Sequence, residues 1–269
     1  MNPELPAGLV AAITPHTGTV ESVTEPTERG RSSDITKIVE GRAGRFFVKG
    51  VRGDERRRAR LLREAAINPY VLEFSPPVLW QTEHEDWLVL GFEVLEGFRS
   101  LDFKPGSHDL PLIVDTLNRI SALPLPDIAQ DWQETRWNRY ITDNEDTTLL
   151  QGETLLYTDI HASNLLYAQG RTWAIDWSWP TIGAAVIDPC MLIIQLLGYH
   201  FTPAEAEDIA SGCTAWQHAD PKAIDAFITA TIRLYTRSSK RAPEEDWLKV
   251  ILTDAQTWAE HRGIRQTEK

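Results

Sequence analysis

The segment from Leu155 to Trp177, LLYTDIHASNLLYAQGRTWAIDW, places charged and amide side chains among residues that favour β-strands. Asp159, Asn164 and Asp176 follow one another at intervals of five and twelve residues. Charged groups in an apolar setting are costly to desolvate unless a partner compensates them. Carboxylate and amide oxygens are hard ligands that Mg²⁺ accepts together with water and phosphate oxygens. A carboxylate on the same loop can also orient or deprotonate a hydroxyl, so these residue types supply the parts required for phosphoryl transfer.

Length and composition indicate an ordinary globular protein. The chain has 269 residues, enough for one large domain or two lobes, and it is 42% hydrophobic and 25% charged. Its formal net charge of −12 argues against a nucleic-acid partner, because phosphate binding requires a basic field. Cys190 and Cys213 lack metal-ligand spacing, so the sequence indicates neither a zinc site nor a disulfide scaffold.

The apolar segments predict no membrane association. The N-terminal sequence MNPELPAGLVAAITP has neither a basic n-region nor a long apolar core, so it does not resemble a signal peptide. The most apolar stretch, CMLIIQLLG, is too short to cross a bilayer. We therefore expect a soluble, cytoplasmic protein.

The first part of the chain is predicted to be a small β-lobe with one helix. Five short segments read as antiparallel strands: TVESVTEPT, ITKIVEG, RFFVKGV, PPVLWQTE and DWLVLGFEVLEG. The helix is GDERRRARLLREAAINP, which ends at the stop signal Asn68-Pro69. This lobe is expected to span residues 1–95.

Beyond Gly97 the pattern becomes mostly helical, and the second lobe is expected to span residues 96–269. Helical spacing marks SHDLPLIVDTLNRISAL, and PDIAQDWQETRWNRYITDN is also predicted to be helical. Two short strands are expected in the Leu155–Trp177 segment. Asp188, Thr202 and Asp220 each precede a proline, which is typical of helix N-caps.

The sequences DIHASNLL and IDW, taken together, resemble the catalytic loop and metal-binding strand of the aminoglycoside phosphotransferase and choline kinase superfamily. Members usually read His-Gly-Asp-x-His-x-x-Asn, followed by Ile-Asp. The resemblance covers most of the chain, because the order of the lobes also fits. It implies an α+β, bilobal, protein-kinase-like fold with a five-stranded antiparallel lobe and a larger helical lobe.

The resemblance also implies roles for the matched residues. Asp159 corresponds to the catalytic base or hydroxyl-orienting residue, and Asn164 and Asp176 correspond to the ligands of Mg²⁺. His161 corresponds to a histidine that supports the loop. The sequence departs from the family where Tyr157-Thr158 replaces the usual His-Gly, so the packing of this loop must differ.

Phosphate contacts are expected from the first lobe. Lys49 ends an apolar strand, where a lysine is suited to reach the α- and β-phosphates of a nucleotide if an acidic partner orients it. Glu64 lies fifteen residues later, which suits the family's Lys–Glu pair. Glu55 is the alternative partner, but its place in the first helical turn is explained by the helix dipole.

Two further segments are expected to bind the nucleotide. The turn ERGRSSDI resembles the family's phosphate-covering loop through Gly30, Ser32 and Ser33, whose small side chains let backbone N–H groups approach phosphate oxygens. The segment GFEVLEG matches the connection between lobes that binds adenine in the family, which points to Glu93 and Leu95. Asp188 resembles a downstream aspartate of the family, but helix capping suffices to explain it, so we assign it a structural role.

The predicted function is transfer of the γ-phosphate of ATP or GTP, with Mg²⁺, to a hydroxyl of a small molecule. An aminoglycoside-like, cationic acceptor, with a role in antibiotic resistance, would need several acidic residues to converge. The candidates are Asp127, Asp131, Glu134, Asp143, Glu145 and Asp146. Alternatively, Trp132, Trp137, Trp177 and Trp179 could form a stacking platform.

Two other interpretations stay open. One is a metabolic kinase for choline, homoserine or a sugar, and the other is a catalytically silent nucleotide-binding module. Retention of Lys49, Asp159, Asn164 and Asp176 counts against the silent module. We expect no nucleic-acid or membrane partner, and either a monomer or a homodimer.

Overall fold

A computed structural model describes residues 5–26, 33–142 and 146–264. By its internal contacts the chain divides into two compact units. The first unit comprises residues 1–99 and 166–179, and the second comprises residues 100–165 and 180–269. No helix in the described part of the chain is both long and apolar enough to cross a membrane.

The described residues form ten strands and eight α-helices. The strands are β1 (Val20–Thr24), β2 (Ile35–Gly41), β3 (Gly44–Arg52), β4 (Val78–His84), β5 (Trp87–Glu93), β6 (Arg99–Ser100), β7 (Thr154–Leu156), β8 (Leu165–Ala168), β9 (Arg171–Ala174) and β10 (Thr181–Gly183). The helices are α1 (Ala7–Thr17), α2 (Glu55–Ile67), α3 (Leu110–Ser121), α4 (Ile187–Gly198), α5 (Pro203–Ala210), α6 (Thr214–Gln217), α7 (Pro221–Arg241) and α8 (Asp246–His261). Short 3₁₀ turns occur at Asn68–Tyr70, Asp127–Ala129 and Asn138–Tyr140.

The first unit contains a five-stranded antiparallel sheet with the strand order β1-β2-β3-β5-β4. All five strands lie in the segments that the sequence predicts. Strand β5 is buried from Trp87 to Phe92 because both faces of the sheet are covered. Successive side chains of a strand point to opposite faces, so the two faces hold separate apolar clusters. The predicted α+β fold class is confirmed.

One cluster packs α2 against the sheet, and the other packs α1 against it. Leu61 of α2 contacts the side chains of Leu88 and Leu90, while Leu9 and Ile13 of α1 lie in the cluster with Val89. The sequence analysis predicts one helix in this region and does not identify α1. This helix contains Pro15 and no distinct polar face, so its sequence lacks the periodicity that marks an amphipathic helix.

Helix α2 begins and ends where the sequence predicts. The Asp54 carboxylate accepts a hydrogen bond from the Arg57 N–H, which caps the helix, and the chain continues into the 3₁₀ turn at Asn68. Leu61 and Glu64 are buried on one face of the helix. The spacing of three residues places Leu61 and Glu64 side by side toward the sheet.

The first unit also includes the hairpin of β8 and β9. The Ala174 N–H donates to the Phe74 carbonyl at 2.9 Å, and Leu95 packs with Leu166 and Trp173. The two units differ from the predicted lobes, residues 1–95 and 96–269, because the first unit extends to residue 99 and includes residues 166–179. Residues 166–179 belong to the first unit because their apolar side chains and their backbone N–H groups have partners among its residues, such as Leu95 and the Phe74 carbonyl.

The second unit is mainly helical around the short antiparallel pair of β7 and β10. Trp137, Phe227 and Trp258 lie in its core, and the Trp137 indole donates to Thr231 Oγ1 at 3.0 Å. The predicted N-caps Thr202 of α5 and Asp220 of α7 are confirmed, and Thr202 forms a capping box with Glu205.

The predicted helix over residues 126–144 is wrong. In the described part of this segment, the Glu134 N–H donates to the Ile182 carbonyl, and the Ile182 N–H donates to the Trp132 carbonyl, each at 2.8 Å. The backbone beside β10 therefore bonds to a strand instead of to itself. The apolar spacing of this segment did not distinguish a helix from a segment that pairs with a strand. The segment is short, and Ile182, with which it pairs, lies almost fifty residues away in the chain.

Candidate functional site

Lys49 lies on β3 with its side chain toward α2. The alternation of β3 places Lys49 on the same face as Val51, whose cluster includes Leu61 of α2. Its ammonium Nζ lies 2.6 Å from Glu64 Oε1 and 3.1 Å from Asp176 Oδ1. All three residues belong to the first unit. The structure thus brings together Lys49 and the predicted partner Glu64, while Glu55 is exposed at the start of the helix.

The surroundings of Lys49 keep it charged. Burial would lower the pKa of this ammonium, but the neighbouring Asp176 and Glu64 carboxylates outweigh burial and raise the pKa above its usual value. Lys49 is therefore a permanent cation between two carboxylates.

Asp176 adopts a backbone conformation that few residues other than glycine adopt. Its φ is +60°, in the left-handed region, at the point where the chain leaves β9. The Trp177 indole donates to the Ala174 carbonyl at 2.8 Å and holds this turn. Such strained residues persist where the surrounding structure fixes them, and they are frequent at functional sites. Here the turn directs the Asp176 carboxylate to Lys49.

In the second unit, Asp159 and Asn164 lie in one tight turn between β7 and β8. The Asn164 side-chain amide donates from Nδ2 to Asp159 Oδ2 at 3.0 Å and to the Asp159 carbonyl at 3.2 Å. The carbonyl of His161 accepts the N–H groups of Asn164 and Leu165, and its ring Nε2 lies 3.5 Å from Asp159 Oδ1. The Asp159 carboxylate is partly exposed, as a group that binds a substrate must be.

Each unit contributes one side-chain oxygen of the kind that Mg²⁺ accepts. In the second unit, Asn164 donates from its amide nitrogen to Asp159, so its amide oxygen is the group that can act as a ligand. In the first unit, the candidate is the Asp176 carboxylate beside Lys49. Among the described residues, no three His, Cys, Asp or Glu side chains are grouped as a metal site. Mg²⁺ commonly needs only one or two protein ligands when a nucleotide supplies the rest.

Asp188 holds the start of the Asp159 loop. It lies inside the first turn of α4, and its two carboxylate oxygens accept the N–H groups of Tyr157 and Thr158 at 3.0 and 2.8 Å. The prediction that Asp188 caps a helix is therefore wrong, because both of its oxygens are used by the loop. Its structural role agrees with the sequence analysis. Burial raises the pKa of this carboxyl to about 6, although the two N–H groups oppose the increase.

This raised pKa predicts a pH-dependent contribution to stability. A carboxyl that titrates higher in the folded state favours folding below pH 3.8, its usual pKa, and this contribution is lost as the pH rises to about 6. The difference corresponds to about 3 kcal/mol. We expect Asp188→Asn to remove this part of the pH dependence. Urea unfolding of both proteins between pH 4 and 7 measures it, and equal slopes in this range would contradict the assignment.

The predicted phosphate-covering loop is only partly described. Gly30 and Ser32 lie outside the described residues. Ser33 lines a narrow crevice of the first unit together with Glu64, Arg57, Arg60 and Ser178. The predicted phosphate contact of Ser33 stays a prediction.

The predicted adenine segment follows the sheet. Glu93 is the last residue of β5, and its N–H donates to the Pro77 carbonyl at 3.0 Å. Leu95 is half-buried against Leu166 and Trp173. The backbone of this segment is thus held in place on both sides, while the Glu93 side chain is exposed.

Several of the candidate acceptor residues in the described part of the chain are buried or already paired. Trp137 and Trp177 are buried in the cores of different units, so the predicted stacking platform is wrong for both. Trp179 stacks under the Arg60 guanidinium, 3.9 Å from the ring centroid. Glu134 is buried and paired with Arg136, and the Asp146 carboxylate accepts hydrogen bonds from Thr148. Asp143 and Glu145 lie outside the described residues.

Arg136, which contacts the residue before Asp159, was missed by the sequence analysis. The Arg136 guanidinium contacts Glu134 and also donates to the hydroxyl of Thr158, the residue before Asp159. The only sequence signal was the departure at Tyr157-Thr158. Its partner Arg136 lies more than twenty residues away in a segment predicted to be a helix.

No protein-family model matches the sequence, and no curated protein does. Solved structures do match. The choline kinase LicA from Streptococcus pneumoniae is 14% identical, with a TM-score of 0.63 over 94% of this chain and 98% of that chain. A thermostable mutant of the aminoglycoside phosphotransferase APH(4)-Ia is 11% identical, with a TM-score of 0.60 over 93% and 98%.

A third match is the spectinomycin phosphotransferase APH(9)-Ia in complex with ADP and spectinomycin. It is 12% identical, with a TM-score of 0.57 over 96% of this chain and 94% of that chain. At these identities the similarity concerns the fold. The chain has the fold of choline kinase and the aminoglycoside phosphotransferases, which confirms the predicted resemblance at that level.

Proposed function

We propose that this protein is a phosphotransferase that moves the γ-phosphate of ATP or GTP to a hydroxyl of a small molecule. The observation that carries the proposal is the buried contact of Lys49 with both Glu64 and Asp176. Burying three charges is costly, so a lysine fixed between two carboxylates is not explained by a gain in stability. The fold that contains it is shared with small-molecule kinases. The chemistry of this lysine is that of a phosphate-binding site.

In this proposal each residue has one task. Lys49 binds the α- and β-phosphates, and Glu64 keeps its ammonium oriented. Asp159 holds the acceptor hydroxyl in line with the γ-phosphorus and accepts its proton. Asn164 and Asp176 are the proposed ligands of Mg²⁺, which supplies neutralisation of the phosphate charge when bound. Ser33, with Gly30 and Ser32, would cover the phosphates, and the backbone at Glu93 and Leu95 would bind the base.

The similar structures support nucleotide binding. APH(4)-Ia has been solved with ADP and hygromycin B, and LicA has been solved with AMP. The acceptors named for these proteins range from an amino alcohol to bulky aminoglycosides, so the fold alone does not select one. The silent-module alternative is disfavoured, because Lys49, Glu64 and Asp176 retain contacts that a degenerate site has no need to keep.

The acceptor class stays open between a metabolic kinase and an aminoglycoside kinase. A polycationic acceptor needs carboxylates that can receive it, and Glu134 is not one of them, because it is buried and paired with Arg136. A thermal-shift panel over aminoglycosides, macrolides, amino alcohols and sugars identifies the class that binds, because a ligand of the folded protein raises its melting temperature by mass action. Phosphate transfer to each ligand that binds then shows which of them is an acceptor.

Nucleotide binding is expected to strengthen with Mg²⁺. Calorimetric titration with ATP and GTP, with Mg²⁺ and then with EDTA, measures the difference. Asp176→Asn should abolish most of the Mg²⁺ effect, because the metal loses its carboxylate ligand. Asp115→Asn, at an exposed carboxylate on α3, is the matched control and should keep it. Equal affinity in both conditions would remove the metal assignment.

A further inference from the structure

Thr158 occupies a backbone position that threonine rarely adopts. Its φ is +60°, and the Asp159 N–H donates to the Tyr157 carbonyl at 2.8 Å across it. A hydrogen bond between residues two apart defines a γ-turn, and the form with positive φ is rare and strained. For a β-branched residue this conformation is a genuine outlier. The strained turn immediately precedes Asp159, so it sets the direction in which that side chain leaves the backbone.

The hydroxyl of Thr158 is held from two sides. It donates to the Tyr157 carbonyl at 2.8 Å and accepts a hydrogen bond from Arg136 Nη2 at 2.6 Å. The Thr158 N–H is bound by Asp188 as described above. A glycine at this position would satisfy the backbone without strain but could not contact Arg136. The threonine is therefore explained by its hydroxyl and not by its backbone preference.

Arg136 is in turn fixed by a buried carboxylate. Its Nε and Nη2 lie 3.1 and 2.6 Å from Glu134 Oε2, and the Glu134 side chain is fully buried. The Thr181 hydroxyl donates to the same oxygen at 2.7 Å. Because the Glu134 backbone is bonded to β10, the guanidinium is attached to the strand that pairs with β7. Residues Glu134, Arg136 and Thr158 thus form a continuous chain of contacts, which we call the clamp.

We infer that the clamp is a positioning device for Asp159, in which Arg136 holds the strained turn at Thr158 in the orientation that Asp159 needs. The inference rests on the proposed function for the task of Asp159. Catalytic groups must be held within about 0.5 Å of their productive geometry. The Asp159 side chain is itself partly exposed, and the residues that contact it directly, Asn164 and His161, lie on the same loop, so the backbone before Asp159 contributes to its order.

Thr158→Gly and Thr158→Ser separate strain from positioning. Glycine relieves the positive φ, so this variant should melt at the same temperature as the wild type or higher. It also removes the hydroxyl, so the loop should lose its attachment to Arg136. Serine retains the hydroxyl and should preserve the loop. If Thr158 only stabilised the fold, Thr158→Gly would lower the melting temperature. An unchanged or higher melting temperature together with a looser loop therefore indicates a positioning role.

Hydrogen exchange in the full-length protein without nucleotide tests the clamp independently of activity. We expect peptides covering residues 157–164 to exchange about tenfold faster or more in Thr158→Gly, and at the wild-type rate in Thr158→Ser. Gln169→Gly is the matched control, since Gln169 also has positive φ but lies in the exposed β8–β9 turn. It should leave the exchange of residues 157–164 unchanged. Wild-type exchange in Thr158→Gly would overturn the inference.

Turnover gives the second measurement, with Mg²⁺-dependent ATP hydrolysis as the probe. Arg136→Lys retains the positive charge beside Glu134 but cannot donate to Glu134 and Thr158 as a planar fork. We expect Arg136→Lys and Thr158→Gly each to lower kcat about tenfold or more, with little change in the KM for ATP. Arg139→Lys, three residues along the chain, should match the wild type.

The two measurements distinguish failure of the clamp from failure of the proposed function. A wild type without hydrolysis or transfer, but with a loop that loosens in Thr158→Gly, would contradict the function and leave the clamp intact. A hydrolysing wild type with unchanged kcat in both variants would overturn the clamp and leave the function intact.

Discussion

Asp159→Asn is expected to lower turnover by about 10²-fold or more, the usual scale for a positioned acid–base group. Asparagine keeps the shape of the side chain and can still accept a hydrogen bond, but it has neither the negative charge nor the proton affinity. In a loose transition state the hydroxyl needs orientation more than early deprotonation, so some activity should remain. The affinity for magnesium–nucleotide should change far less, because the proposed ligands Asn164 and Asp176 are retained.

Turnover can be measured with any acceptor identified in the thermal-shift panel, and nucleotide affinity by calorimetry. Asp208→Asn, at an exposed carboxylate on α5, is the control for a general loss of negative charge. Lost nucleotide affinity with normal residual turnover would identify Asp159 as a metal ligand. If neither quantity changes, only the fold is shared with the phosphotransferases and the activity is not.

Lys49→Met is expected to impair both stability and turnover, and a second substitution should separate the two effects. Removing the ammonium leaves Glu64 and Asp176 without their shared cation, and breaking a buried ion pair in this way costs about 3–5 kcal/mol. Turnover should fall by about 10²-fold or more, the scale for losing one charge-stabilising donor.

The double variant Lys49→Met/Glu64→Leu is the informative comparison. It replaces the deeper carboxylate with an apolar side chain, so chemical denaturation should show that most of the lost stability returns. Turnover should stay low, because no cation is left to bind the phosphates. Recovery of turnover in the double variant, or normal turnover in Lys49→Met, would show that another residue binds the phosphates.

The parts of the molecule that the sequence predicted are those with local signatures. Alternating apolar residues marked the five strands, and the Asn68-Pro69 stop marked the end of α2. Once Lys49 is on a strand and Glu64 is on the following helix, the pleat and the helical repeat suffice to make them face each other. Nothing comparable marked α1, where apolar residues and Pro15 hide the helical pattern.

The missed parts depend on contacts between distant segments. No local sequence feature predicts the contact of Arg136 with Thr158 or the backbone hydrogen bond between Glu134 and Ile182. Asp188 shows the same limit, because a residue before proline at the start of a helix looks like a cap. Only the folded chain reveals that its oxygens are turned to Tyr157 and Thr158.

The hairpin of β8 and β9 has a consequence for how the protein is made. The first unit is discontinuous, since residues 166–179 complete a body that otherwise ends at residue 99. Domains commonly fold in order as the ribosome releases them. Here the N-terminal body emerges with the apolar surface of Leu95 uncovered and the Phe74 carbonyl without its strand partner until residue 179 has been synthesised. The first unit must therefore remain incompletely folded while eighty further residues are synthesised. During this interval its exposed apolar surface is a binding site for chaperones.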